Sequence, residues 1–223
     1  MSDLPVCEIF GSIDGEGIWS GCLATFIRLA GCNLRCRYCD TQYSFNMSDA
    51  KRLSIDDIVT EADRIGYHHV TLTGGEPLIH DEAIELIARL CSRGYHVNIE
   101  TNGSKPIERI AQIDGTTITM DWKTEASGMT SWMMRENIDH LRSTDVLKLV
   151  LDEGDIEDMP ALLTDLRPQC HVFLSPVFGL APIRLVELLR ILHKQPETRE
   201  ISSRTRIQLQ LHKIIWEPSK RGV

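Results

Sequence analysis

The sequence predicts an α/β fold: a single-domain, partial (open) β/α barrel with about six core parallel strands. Three observations lead there. Apolar runs alternate with helical patterns along the whole chain, the arrangement of βα units feeding a parallel sheet. Each apolar run ends in polar or glycine residues, where ligand sites of parallel α/β folds lie. The 223 residues hold too few such units for a closed eight-stranded barrel of about 250 residues, yet suffice for one sizeable core. No repeat, low-complexity stretch or interdomain linker divides residues 1–223.

Leu23 to Leu29 reads as the first core strand, with a cysteine-rich loop directly after it. Ser54 suits the N-cap of a helix running to about Ile65, with Asp56 and Asp57 in its first turn facing the positive helix end. His69 to Thr73 is the next strand and runs into Gly74-Gly75-Glu76-Pro77. From about Asp81 to Ser92 a helical period puts Ile84, Ile87, Leu90 and Cys91 on one face, and Gly94 stops it. Val97–Glu100, Thr117–Asp121, Val146–Leu151 and Val172–Ser175 read as further strands. Helices are expected over Ile156–Leu166 and Pro182–His193, and a late strand over Ile207–Leu211. Phe45–Leu53 and Thr124–Arg135 read as mobile loops. The segments at about 8–28 and 206–223 flank this core.

Composition excludes some classes. A formal net charge of −8 argues against a nonspecific nucleic-acid binder, which is usually basic. No apolar run reaches the roughly 20 residues of a membrane span. Met-Ser-Asp-Leu-Pro has neither the basic nor the apolar region of a signal peptide, so a cytoplasmic location is expected. Seven cysteines in such a chain are not a disulfide framework. Cys7, Cys22, Cys91 and Cys170 are scattered and read as incidental or buried thiols, whereas Cys32, Cys36 and Cys39 share one loop.

Those three thiolates can wrap one face of an iron–sulfur cluster. A [4Fe–4S] cluster has four irons, so three ligands leave one iron open for a small molecule. The competing reading is a zinc knuckle, which wants a fourth ligand such as His68 or His69. Those histidines precede a strand, opposite to the end where the cysteine loop emerges. In Gly74-Gly75-Glu76-Pro77 the glycines permit close backbone approach to a ligand, and Glu76 can accept from an ammonium. The bland alternative is a tight turn with a solvated Glu.

The C-x3-C-x2-C spacing with Tyr38 before its last cysteine, together with Gly-Gly-Glu-Pro, resembles the radical S-adenosylmethionine (radical SAM) enzymes. The resemblance implies their open barrel, a [4Fe–4S] cluster on Cys32, Cys36 and Cys39, and SAM chelated to the fourth iron. SAM is then cleaved by one electron to a 5′-deoxyadenosyl radical. Glu8 to Gly17, Thr25 to Arg28, Cys39-Asp40-Thr41, Gln208 to Trp216 and Arg221-Gly222-Val223 narrow it further. They resemble the 7-carboxy-7-deazaguanine synthases of the queuosine pathway, from Phe10 to Val223. That family converts 6-carboxy-5,6,7,8-tetrahydropterin to 7-carboxy-7-deazaguanine with ring contraction and loss of ammonia, using Mg2+ and regenerating SAM.

For the substrate, the resemblance implies contacts from Ile13, Asp14, Gly15, Glu16, Arg28, Thr73 and the carboxylate of Val223. For SAM it implies Tyr38, Gly74, Gly75, Glu76, Asp121, Trp122, Lys123, Ser175, Pro176, Val177 and Phe178, and for Mg2+ it implies Thr41. A guanidinium such as that of Arg28 suits a carboxylate, and a hydroxyl oxygen suits Mg2+. Many members carry Gln in place of Asp14 and Ser-Pro-Lys in place of Asp121-Trp122-Lys123. Otherwise Arg28 would be a surface ion pair, Thr41 a turn residue, Asp121 and Lys123 a local salt bridge, and His212 and Trp216 packing. An electron donor such as flavodoxin or ferredoxin and a homodimer are expected, with no nucleic-acid or membrane partner. Two other classes share parts of the pattern: an activase that sets a glycyl radical on a partner protein, and a non-enzymatic iron–sulfur carrier or sensor.

Overall fold

The computed structural model describes residues 3–218 and 220–223. Nine strands form one open sheet: β1 (Asp3–Ile13), β2 (Leu23–Leu29), β3 (Lys51–Ser54), β4 (His69–Gly74), β5 (His96–Thr101), β6 (Thr116–Asp121), β7 (Val146–Leu151), β8 (His171–Pro176) and β9 (Thr205–Ile207). Their spatial order is β3-β1-β2-β4-β5-β6-β7-β8-β9. From β2 to β9 every neighbouring pair is parallel, whereas β1 runs antiparallel to both β2 and β3. The described helices are α1 (Ile55–Ile65), α2 (Glu82–Ser92), α3 (Glu108–Ala111), α4 (Met159–Leu166), α5 (Ile183–Lys194), α6 (Arg199–Ser203) and α7 (Leu211–Ile215). The open α/β barrel expected from the alternation is present.

The two faces of the sheet differ, because successive side chains of a strand point to opposite sides. Ile27, Leu29, Val70, Leu72, Val97, Ile99, Ile118, Met120, Leu147, Leu149, Val172 and Leu174 join the apolar faces of α1, α2, α4 and α5 in one buried core. The intervening positions, among them Arg28, Thr71, Thr73, Asn98, Glu100, Thr119, Asp121 and Lys148, belong to the concave face. Burying a large apolar side chain contributes about 1.5–3 kcal/mol, so the helix-covered face holds the scaffold and frees the other for polar work.

Local signals set both ends of α1. The Ser54 hydroxyl accepts from Asp57 N at 3.1 Å and caps α1, which Gly66 ends in a left-handed conformation. The buried side of α2 is Ala83, Leu86, Ile87 and Leu90, while Ile84 and Cys91 are only partly buried. Cys170 is fully buried.

Several expectations are corrected. The N-terminal segment forms an eleven-residue strand, whose alternation Pro5 and Gly11 obscure in sequence. Phe45–Leu53 is not a loose loop but carries the last residue of one 3-10 turn, the whole of a second over Met47–Asp49, and most of β3. Thr124–Arg135 is pinned: the Thr124 hydroxyl and Ala126 N both donate to Asp155, at 2.8 and 3.2 Å. The helix expected from Ile156 starts as a 3-10 turn over Glu153–Asp158 and becomes α-helical at Met159. The late strand ends at Ile207: Gln208 N still donates to Leu174 O of β8 at 2.9 Å while its side chain bonds Gly17, and Leu211 opens α7 instead.

Candidate active site

The cysteine loop leaves the carboxyl end of β2 and is held there by backbone contacts. Gly75 N donates to Leu29 O at 3.0 Å, and Glu76 N donates to Gly31 O at 2.8 Å. A Cβ on Gly75 would lie 2.1 Å from Gly31 O and 2.8 Å from the Cys32 Cβ, so only glycine allows this approach. Cys32, Cys36 and Cys39 all line a cleft of about 620 Å³ at the carboxyl ends of the strands. Asn102 Nδ2 reaches Cys32 Sγ at 3.9 Å, and the Thr41 hydroxyl lies 3.7 Å from Cys39 Sγ.

Burial pushes the Cys32 and Cys36 thiols up. Bound iron reverses this preference, because a cation takes the thiolate. Among the described residues no three His, Cys, Asp or Glu side chains gather as ligands of a single ion. Three thiols around one cleft wall instead suit a multi-iron cluster, in which each takes a different iron. His68 and His69 stand at the opposite end of the sheet, where His69 stacks on Trp19 at 4.3 Å and neighbours His96.

Glu76 turns away from the cleft. It is fully buried, with Oε1 accepting from Leu78 N at 3.0 Å and the Thr101 hydroxyl at 2.8 Å, and Oε2 from Asn102 N at 2.6 Å. Desolvation pushes its carboxyl up to about 7 against those donors. The side chain ties the end of β4 to the end of β5 and fixes the glycines that face the cysteines.

Ion pairs line the remaining wall. Arg28 on β2 gives its Nε to Glu8 of β1 at 2.8 Å, and the Tyr43 hydroxyl donates to the same oxygen at 2.7 Å. At the end of β6, Lys123 meets Asp121 at 2.9 Å. On β7, Lys148 pairs with Glu16 and lies 3.8 Å from the other oxygen of Asp121. Burial would lower Lys148, but Asp121, Glu16 and Glu100 outweigh it and hold the ammonium well above its usual range. Burial would likewise raise Asp121, and Lys123 and then Lys148 keep it below the usual carboxylate range.

The two flanking segments meet across this cleft. Gln208 brackets Gly17, accepting from its N at 2.8 Å and donating to its O at 2.9 Å. Gln210 donates to Glu16 at 2.6 Å, and Leu211 N donates to Gly15 O at 3.1 Å. A Cβ on Gly15 would lie 2.3 Å from His212 Nδ1, so the α7 segment can close only on a glycine. Lys213 pairs with Asp40 of the cysteine loop at 2.5 Å, and Arg221 sits 3.7 Å over the Tyr43 ring.

Of the residues singled out from sequence, Ile13, Asp14, Gly15, Glu16, Arg28, Tyr38, Thr41 and Thr73 line the cleft, as do Gly74, Gly75, Asp121, Lys123, Val177, Phe178 and Val223. Glu76, Trp122, Ser175 and Pro176 do not. Trp122 joins the hydrophobic core, and Ser175 is fully buried in β8. Sequence reasoning missed Glu100, Lys148, Asp40, Gln210 and Lys213, and left His212 open between the tail motif and packing; all six line the cleft. A signal for two of them exists: Lys148 interrupts the apolar run Val146–Leu151, and Glu100 stands two residues from Asn98 on the same strand face.

A cysteine loop at the carboxyl ends of an open parallel sheet defines the class, and the signature of the radical SAM superfamily matches residues 26–156. A 7-carboxy-7-deazaguanine synthase from Clostridium acetobutylicum is 38% identical over 226 positions, covering 98% of each chain. Another from Methanospirillum hungatei is 35% identical over 97% of this chain and 87% of that protein. The chain therefore belongs to the 7-carboxy-7-deazaguanine synthase family of the radical SAM superfamily. The fold is shared with the crystal structure of QueE from Escherichia coli, at TM-score 0.72, 24% identity and coverage of 93% and 94%. It is shared more distantly with archaeal TYW1, at TM-score 0.55, 16% identity and coverage of 77% and 71%.

Proposed function

We propose that this chain converts 6-carboxy-5,6,7,8-tetrahydropterin to 7-carboxy-7-deazaguanine with loss of ammonia. One observation carries the reading: the tail closes over the same cleft that gathers the three cysteines, Arg28 and Thr41, leaving a space for a small carboxylated ligand rather than a protein loop. Cys32, Cys36 and Cys39 would hold the cluster, Gly74 and Gly75 with Asp121 and Lys123 would hold SAM, and Thr41 would serve Mg2+. When bound, the cluster and SAM would supply one-electron chemistry for hydrogen-atom transfer at the substrate.

The chain's own residues do the rest. Arg28, with Glu8 fixing its Nε, presents its remaining donors to the substrate carboxylate. Thr73 and Glu100 face the ring, and the tail from Gln208 to Val223 excludes water. A one-electron donor such as flavodoxin or ferredoxin serves the cluster, and the active species is a homodimer. No described helix is long and apolar enough to cross a membrane.

The test is anaerobic incubation of the reconstituted protein with the pterin, SAM, Mg2+ and reductant. The deazaguanine acid is the expected product, and omission of Mg2+ lowers its rate. If only 5′-deoxyadenosine forms, whether or not the pterin is present, the substrate assignment is wrong.

A further inference from the structure

The charges in the cleft do not balance. Arg28 is matched by Glu8, Lys123 by Asp121, Lys148 by Glu16 and Lys213 by Asp40. Beside the terminal carboxylate of Val223, that leaves Asp14 and Glu100, two lining side-chain carboxylates to which no ion pair falls among the described residues. Arg37 lies exposed at the rim, and His212 is held towards its neutral form by burial. Asp14 is 2% exposed. Its Oδ2 lies 2.8 Å from the Thr71 hydroxyl, and its Oδ1 accepts from Glu16 N at 3.3 Å. Glu100 accepts from the Thr73 hydroxyl at 2.6 Å. Thr71 and Thr73 stand two apart on one face of β4, so the carboxyls are stacked about 7 Å apart at their anchors. Two like charges at that separation in a desolvated cleft cannot both be carried cheaply.

We propose that Asp14 and Glu100 share one proton at neutral pH, held on Asp14, so that Glu100 is the one anion of the pair and accepts the paired N–H donors of the ligand's amino-pyrimidine edge. This rests on the pterin reading above. Asp14 is a positioning residue here, acting through Glu100. Desolvation first, and then the charge of Glu100, push the Asp14 carboxyl up to about 7, while Thr71 and Glu16 N pull it down. Burial raises Glu100 as well, and Lys148 and Arg28 oppose it. Above the shared titration Asp14 ionises, and a second anion faces a substrate that already carries a carboxylate.

The test is the pH dependence of the pterin KM in the holoenzyme and in Asp14→Asn, whose amide reproduces the neutral acid. In the wild type KM should climb about tenfold per pH unit above roughly pH 7, with kcat little changed. In Asp14→Asn KM should start severalfold higher at acid pH and stay flat. Parallel profiles would overturn the proposal, as would a folded Asp14→Asn protein that fails to bind the pterin at any pH. A second readout is calorimetric titration at alkaline pH in buffers of differing ionisation heat. Net proton uptake on binding is expected in the wild type and absent in the variant, and equal uptake overturns the sharing. A pH-independent KM with normal turnover sinks this proposal alone. Absence of both turnover and binding heat sinks the pterin reading and this proposal with it.

Discussion

Replacing Lys148 by Met removes the cation at the centre of the cleft wall. Its side chain is 9% exposed and that of Glu16 is 10% exposed, so water cannot replace the lost partner. Asp121 keeps Lys123 at 2.9 Å, but Glu16 retains only the amide of Gln210 at 2.6 Å. The cost therefore falls on one uncompensated buried carboxylate, about 3–5 kcal/mol by analogy with other broken buried pairs. In a chain of this size that lowers Tm by about 6–20 °C. Asp121 adds a pH signature. Its folded carboxyl is depressed, so it contributes stability that is present above the unfolded value near 3.9 and lost as pH falls through the folded one. Part of that contribution disappears with Lys148, so the gap between variant and wild type narrows in acid. Urea unfolding of anaerobically reconstituted protein, followed by circular dichroism, measures it. Adding Glu16→Gln should recover about 1 kcal/mol or more. A single-variant cost below about 1 kcal/mol, or a double variant no more stable than Lys148→Met, would refute the claim that this pair holds the wall together.

Two further outcomes follow from the close contacts. Gly75→Ala forces a Cβ into Gly31 O and should lower stability by about 3 kcal/mol or more. Iron and sulfide content after reconstitution should fall with it, and full cluster content at an unchanged Tm would reject the packing argument. Gln208→Ala removes both bonds to Gly17, worth about 1–3 kcal/mol, and should loosen the tail. The pterin KM should rise and limited proteolysis after Ile207 should accelerate; if neither changes, the tail does not close the site through Gln208.

The cysteine loop and the glycine turn were legible because their geometry is local. Cys32, Cys36 and Cys39 lie within eight residues, and Gly74-Gly75 follow His69–Thr73, a short run rich in strand-forming Val and Thr. Strand and helix types were legible because apolar residues repeat with the period of each element. The first strand was not, since Pro5 and Gly11 break its pattern and its partner lies on the far side of a nine-residue connection. Glu76 shows another limit. The motif names the residue, but its direction is set by Thr101 and Asn102, which only the neighbouring strand brings near. Lys148 and Glu100 were visible as polar positions inside strands, yet nothing in one dimension says that both face the cysteines.

By itself the sequence determined the order of βα units, the place of the cluster loop at a strand end, and the small residues that permit close approach. These depend on spacing within short segments, where covalent geometry leaves few choices. Only the tertiary structure decided how the charges are shared: Glu16 with Lys148, Arg28 with Glu8, Asp40 with Lys213, and Asp14 and Glu100 with no ion pair among the described residues. It also decided that Gln208, 191 residues from Gly17, closes the cleft. Electrostatic energy depends on separation in space and on desolvation, and both are fixed only when the strand order brings distant segments together.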